Sequence, residues 1–293
     1  MKLSKQIAAA LLLLNGTAFF AQEITGFDGT KQKGQGEYVN KYTTGMYGKL
    51  LFSENLKPGY YGVTGRIADK FPTLIWACDG MTGGFHHYRT SETPQLIQYY
   101  FKQNDPAKGT FRINSAHPKG NQDPVDFVAK DLKLTSFGDV PPASIFPDFQ
   151  TALKETPDGK NFIYCFYNHK STVITKTTQD GVPVLSIEGN AEKLYQSIGC
   201  TVGFPLTNSG KLTIKFTAKS AGGAKQMFVL VRDNSWKNGA ARKYFTLTNE
   251  WADYTFEVDC AKSMKEGIVL GAADCRFGQG VYLFKDFSIT WTK

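Results

Sequence analysis

Residues Lys211-Leu212-Thr213-Ile214-Lys215-Phe216-Thr217-Ala218 alternate polar and apolar without a break. On an extended chain Leu212, Ile214, Phe216 and Ala218 fall on one side and Lys211, Thr213, Lys215 and Thr217 on the other, the two-residue period of a half-buried strand. A strand of this kind buries one face only and needs a second layer to cover it. The C-terminal run repeats the pattern, with Phe287, Ile289 and Trp291 alternating with Ser288, Thr290 and Thr292. Elsewhere the apolar runs are short, rich in Val, Ile, Phe, Tyr and Thr, and separated by the turn formers Gly, Asn, Asp and Pro. After the leader, only the stretch from about Phe149 to Lys154 reads as a helical turn. With 41% hydrophobic and 20% charged residues, the 293-residue chain has the apolar content to bury a core, which excludes disorder as its main state. The 14% share of aromatic residues favours strands. The sequence therefore predicts an all-β protein.

Working outward, the same pattern occurs twice. Lys130-Asp131-Leu132-Lys133-Leu134-Thr135 matches Lys285-Asp286-Phe287-Ser288-Ile289-Thr290, 155 positions later. Thr93 with Gln98-Tyr99-Tyr100-Phe101 matches Thr248 with Asp253-Tyr254-Thr255-Phe256 at the same offset. Thr73-Leu74-Ile75-Trp76-Ala77-Cys78-Asp79 aligns with Met227-Phe228-Val229-Leu230-Val231-Arg232-Asp233, and Tyr61-Gly62-Val63-Thr64-Gly65-Arg66 with Leu212 to Thr217. Repetition in a preserved order predicts two related units, 22–138 and 171–293, joined by a Pro-containing linker, 139–170. Units of about 120 residues with roughly eight short strands suit antiparallel β-sandwiches of the jelly-roll kind, in which two sheets bury one face each.

Residues 1–21 carry Lys2 and Lys5, then the apolar stretch Ile7 to Leu14, then small and aromatic residues up to Ala21, the layout of a cleavable secretory signal peptide. Secretion to the periplasm or the medium is the expectation. No later segment approaches the roughly 20 apolar residues of a membrane-spanning helix. The formal net charge is +8, two units of it from the leader's lysines. The basic residues are scattered, which argues against nucleic acid as a partner. Such a balance suits an acidic polysaccharide or a negatively charged cell surface, and it serves solubility equally well. Five cysteines, Cys78, Cys165, Cys200, Cys260 and Cys275, cannot all pair within one molecule. They form no C-x-x-C unit, so no metal site is expected. Cys260 and Cys275 flank a Gly-containing strand and are open to bridging, and Cys78 reads as a small buried hydrophobe.

Three stretches of the second unit carry a family resemblance: Gly181-Val182-Pro183-Val184-Leu185-Ser186-Ile187 with Leu194-Tyr195-Gln196, Gly210 to Ile214 running on to Ser220, and Val281 to Ile289. In these it resembles the carbohydrate-binding modules of galactose-binding-like jelly-roll type found in secreted bacterial polysaccharide-degrading systems. The resemblance spans about 120 residues and, through the repeat, extends faintly to the first unit. It implies a polysaccharide or cell-surface glycan as partner, no cofactor, and compatibility with a structural calcium ion. Tyr195 and Gln196 become candidate ligand-binding residues on this resemblance.

A sugar presents a flat apolar face ringed by hydroxyls, so its site needs an exposed aromatic beside amide, carboxylate or Arg groups. Asp233-Asn234-Ser235-Trp236-Lys237-Asn238-Gly239 fits locally, because Trp236 has no apolar neighbour within two positions whereas Trp76 and Trp291 sit on strand periodicity. Trp236 and Asn234 are therefore candidates, with Arg232 and Arg242 as further donors; a plain surface loop or a core plug for Trp236, and a solvated strand face for the two arginines, are the competing readings. In the first unit, Gly83-Gly84-Phe85-His86-His87-Tyr88-Arg89-Thr90-Ser91-Glu92 gathers groups that β-elimination from a uronic-acid polymer would use. His86, His87, Tyr88 and Arg89 are the catalytic candidates should the chain be an enzyme. On a strand His86 and Tyr88 share one face and His87 and Arg89 the other, which suits an ordinary polar strand better. No G-x-S-x-G, H-E-x-x-H, phosphate loop or EF-hand pattern occurs. The leading reading is a secreted glycan-binding protein. A polysaccharide lyase or glycoside hydrolase on the same scaffold, and a surface scaffold or adhesive protein without small ligand, are the alternatives; oligomeric state is not legible.

Overall fold

The computed structural model describes residues 21–23, 30–33, 35–40, 43–68, 73–78, 81–83, 86–88, 92–117, 126–144, 146–156, 165–166, 172–189, 196–200, 210–222, 225–233, 239–259, 270–277 and 279–292. The signal-peptide stretch 1–20 lies outside them.

Short apolar runs punctuated by turn residues give strands almost throughout. In the N-terminal half these are β1 (Ala21–Glu23), β2 (Thr30–Lys33), β3 (Gln35–Asn40), β4 (Thr43–Leu56), β5 (Gly59–Ala68), β6 (Thr73–Cys78), β7 (Met81–Gly83), β8 (His86–Tyr88), β9 (Gln95–Gln103), β10 (Ala107–His117) and β11 (Asp126–Gly138). One helix, α1 (Phe149–Glu155), precedes the C-terminal strands. Those are β12 (Cys165–Phe166), β13 (Thr172–Gln179), β14 (Val182–Gly189), β15 (Gln196–Cys200), β16 (Lys211–Ala221), β17 (Lys225–Asp233), β18 (Gly239–Leu247), β19 (Ala252–Asp259), β20 (Leu270–Phe277) and β21 (Gly280–Thr292). The sheets are antiparallel and ordered β1-β11-β5-β9-β7 with β2 also on β11, β3-β4-β10-β6-β8, β13-β14-β21-β16-β19, and β12-β15-β20-β17-β18. The chain is an all-β sandwich protein, as the alternating pattern requires.

Sheet order is the same in both halves. The row β4-β10-β6-β8 corresponds to β15-β20-β17-β18, and β11-β5-β9 to β21-β16-β19. Each pair of segments matched in sequence occupies matching strands: β5 with β16, β6 with β17, β9 with β19, β11 with β21. The repeated Lys-Asp has a physical role in both copies. Lys130 faces Arg66 and Lys133 faces Thr64, so Asp131 and Leu132 together oppose Gly65; likewise Phe284 faces Ala218 and Asp286 faces Thr217, leaving Lys285 unpaired in register. Both are β-bulges, which bend the strand and re-aim one side chain. Asp131 takes up a left-handed backbone (φ 53°) that Asp tolerates better than most residues. The Asp286 carboxylate accepts the Phe287 N–H at 2.8 Å.

Leu212, Ile214, Phe216 and Ala218 are all buried, and Lys211 and Lys215 are exposed. Phe216 stacks on Tyr254 (5.1 Å, 15°) and meets Phe245 edge-on at 5.3 Å (84°). Since Phe245 belongs to the other sheet, this contact joins the two layers. Thr213, on the outward side of the alternation, is buried as well. It stands opposite Thr290, and Thr290 in turn opposite Ser144, so a further segment flanks the sheet at this row.

That segment belongs to the stretch containing Pro141, Pro142 and Pro147. Ala143 O accepts the Trp291 N–H at 2.7 Å, beside the Ser144–Thr290 bridge. It lies along β21 as β1 lies along β11, where Ala21 faces Thr135. Helix α1 follows, capped by Asp148, whose carboxylate accepts the Thr151 N–H at 2.7 Å. Hydrogen bonding from Thr151 holds the Asp148 carboxyl below the usual aspartate range, so the cap contributes at neutral pH and weakens on acidification. Phe149, Ala152 and Leu153 form the helix's buried stripe. The helix touches β9 in one half and β14 and β21 in the other. Glu155 Oε1 accepts from Arg66 Nε (3.2 Å) and Nη2 (2.7 Å), and Gln150 Nε2 donates to Pro183 O (3.1 Å) and Lys285 O (2.5 Å).

Gly210, at the start of β16, has no room for a side chain: a Cβ there would lie 2.3 Å from Trp291 Nε1 and 2.4 Å from its Cε2. Trp291 is buried and cannot swing clear. Gly210→Ala is expected to destabilise the fold by about 1–3 kcal/mol, read as a lower denaturation midpoint; an unchanged midpoint would show that the ring has space.

Cys165 and Cys275 both stand opposite Ile198, one on each side. Two strand spacings separate them by about 9–10 Å, beyond the roughly 7 Å that a disulfide tolerates. Cys260 lies outside the described residues, and with it the Cys260–Cys275 bridge. No helix among the described residues is long and apolar enough to cross a membrane.

Candidate functional site

On β18, Phe245 and Leu247 turn into the core, so Arg242, Tyr244 and Thr246 turn outward, and all three are exposed. Register places Tyr244 opposite Phe228 and Arg242 opposite Leu230 on β17. The Tyr244 ring is 52% exposed and lies 5.5 Å from the Phe228 ring at 55°. Phe228 forms the floor of the patch, itself buried. The Arg242 guanidinium sits 4.7 Å above the Phe228 centroid, and its Nη1 donates to the Tyr244 hydroxyl at 3.2 Å. Cation–π attraction and this hydrogen bond together restrict the guanidinium beside the exposed ring. Further across the sheet, Phe228 faces Arg276, which faces Ser197; Leu230 faces Asp274, which faces Gly199. One register row thus carries two aromatics and an Arg, and the next an Arg and an Asp.

Arg232 lies on β17 just past a bulge, facing Gly239 and Ala272, so both candidate arginines belong to this strand pair. Gln196 lies on β15 facing Phe277, in the register row of the core residue Met227 and not in that of Phe228. The side chains of Arg232 and Gln196, together with Asn234, Trp236 and Tyr195, lie outside the described residues; 234–238 joins β17 to β18. His86, His87 and Tyr88 form β8 and face Ile75, Leu74 and Thr73, at the edge place that β18 holds beside β17. Their side chains and Arg89 also lie outside the described residues. Among the described residues there is no group of three His, Cys, Asp or Glu that could hold a metal. Sequence reasoning passed over Tyr244 and Phe228. The signal was present, because two successive aromatics on a strand, Tyr244 and Phe245, cannot both face the core.

No family model matches the chain, and no curated protein does. Among solved structures it is similar to BiXyn10A CBM1 in its apo form, at 18% identity over 41% of this chain and 81% of that one, with a TM-score of 0.31. A structure described as "CBM4 structure and function" shares 14% identity over 47% of this chain and 91% of its own, TM-score 0.34. Paenibacillus xanthan lyase shares 14% identity over 86% of this chain and 23% of its own, TM-score 0.27. Likenesses this distant carry no argument about activity.

Proposed function

We propose that the chain is an exported glycan-binding protein built of two β-sandwich domains, with the outward face of β17 and β18 as a sugar platform. The leading observation is the exposed Tyr244 ring with the Arg242 fork fixed beside it on Phe228. The apolar face of a sugar ring stacks on Tyr244 while Arg242 donates to its hydroxyls, aromatic contact supplying affinity and the fork supplying orientation. On β20, Arg276 stands opposite Phe228 and Asp274 opposite Leu230. Equal strand order in the two halves supports the tandem reading, and the leader-like layout of residues 1–21 supports export.

The test is affinity measurement against a panel of glycans. Tyr244→Ala is expected to weaken binding about tenfold or more while leaving the melting temperature unchanged, and Tyr244→Phe to retain most of it. Wild-type affinity in both Tyr244→Ala and Arg242→Ala would refute the platform. New ultraviolet-absorbing unsaturated ends on the glycan would replace binding by lyase chemistry.

A further inference from the structure

A second aromatic lies on the other sheet of the C-terminal half, in the turn between β18 and β19. Trp251 is half-buried, and two ammonium groups flank its ring: Lys219 Nζ and Lys285 Nζ, each 4.9 Å from the centroid. The geometry points to a binding site for the anionic group of an acidic sugar, a uronate carboxylate or a sulfate ester, held between these ammonium groups against the indole. The inference rests on the glycan-binding reading for its ligand class but uses none of the residues of the β17–β18 platform.

Three observations carry it. The turn leading to the ring is tied to β16: Ser220 N donates to Thr248 O at 2.7 Å, Ser220 Oγ donates to Leu247 O and Thr248 O at 3.2 Å, and Thr248 Oγ1 donates to Glu250 O at 3.3 Å. One of the cations stands at a bulge: Lys285 is unpaired in register there, Gln150 of α1 donates to its carbonyl, and its Nζ lies 4.9 Å from the Trp251 centroid. Finally, among the described residues neither lysine forms an ion pair with a carboxylate. Two cations sharing one ring repel each other, and an anion between them converts that repulsion into two attractions. The indole adds a surface for the C–H face of the sugar that bears the anion. The first half has Lys130 at the matching position, paired in register with Arg66, and Leu96 where the second has Trp251, so the arrangement belongs to one copy only.

The experiment titrates the full chain with polygalacturonate, dextran sulfate, inorganic sulfate and a neutral glycan that it binds, comparing wild type with the Lys219→Gln/Lys285→Gln double variant. The double variant is expected to lose about tenfold in affinity for the polyanion and nothing for the neutral glycan. Comparing the two polyanions separates carboxylate from sulfate, and inorganic sulfate shows how much the anion contributes without a sugar. A Lys133→Gln/Lys215→Gln control removes the same charge from exposed positions and is expected to bind as wild type. Equal losses in control and test variants, or no loss in the test variant, would overturn the site. Neutral binding that depends on Tyr244, without any polyanion binding, overturns this site alone. Polyanion binding that depends on Lys219 and Lys285 upholds it even where Tyr244→Ala has no effect.

Discussion

Phe216→Ala is expected to cost about 3–5 kcal/mol of folding stability, the range for truncating a fully buried aromatic. The residue is buried on β16 and touches three rings: Tyr254 stacked at 5.1 Å, Phe245 edge-on at 5.3 Å and Phe284 tilted at 6.0 Å. Two of these neighbours belong to its own sheet and Phe245 to the facing one. Truncation therefore opens a cavity between layers, where close-packed strands on both sides resist collapse. Phe216→Leu keeps most of the volume and is expected to lose far less. Urea denaturation measures both. A loss below about 1 kcal/mol for the alanine variant, with an unchanged slope, would mean that Phe216 does not join the sheets.

Phe149→Ala is expected to reach a similar loss, about 3–5 kcal/mol, although the residue lies in a stretch whose prolines have the composition of a tether. An isolated helix the length of α1 has no stability in water. It persists here because Phe149, Ala152 and Leu153 are buried, with Gln150 and Glu155 bonded to opposite halves of the chain. Removing the Phe149 ring takes away its largest buried side chain. Tryptic cleavage at the exposed Lys154 is expected to be slow in the native chain and rapid in the variant. A stability change within about 0.5 kcal/mol, the usual size for surface positions, together with unchanged cleavage, would show that α1 is not part of the core.

Much of the architecture was legible because a strand's side chains alternate with a fixed period. Leu212 to Ala218 displayed their buried face without any partner being known, and the segments repeated in the same order lie on matching strands. The platform was half legible. Arg242 was singled out for its donors, while Tyr244 was passed over because no cue along the chain says which of two adjacent aromatics faces outward. That depends on the partner strand and on Leu247 and Phe245 filling the interior.

Local period and repetition established an all-β chain of paired sheets, since both depend only on neighbours along the backbone. Three-dimensional packing established the rest: that Ala143, Ser144 and α1 lie against β21, that Phe149 is buried, that Thr213 is buried on the polar side of its strand, and that Lys285 reaches Trp251. Those outcomes depend on contacts between residues far apart along the chain, such as Gln150 with Lys285, 135 positions apart. Alternation along a strand carries no record of which surface will arrive to meet it.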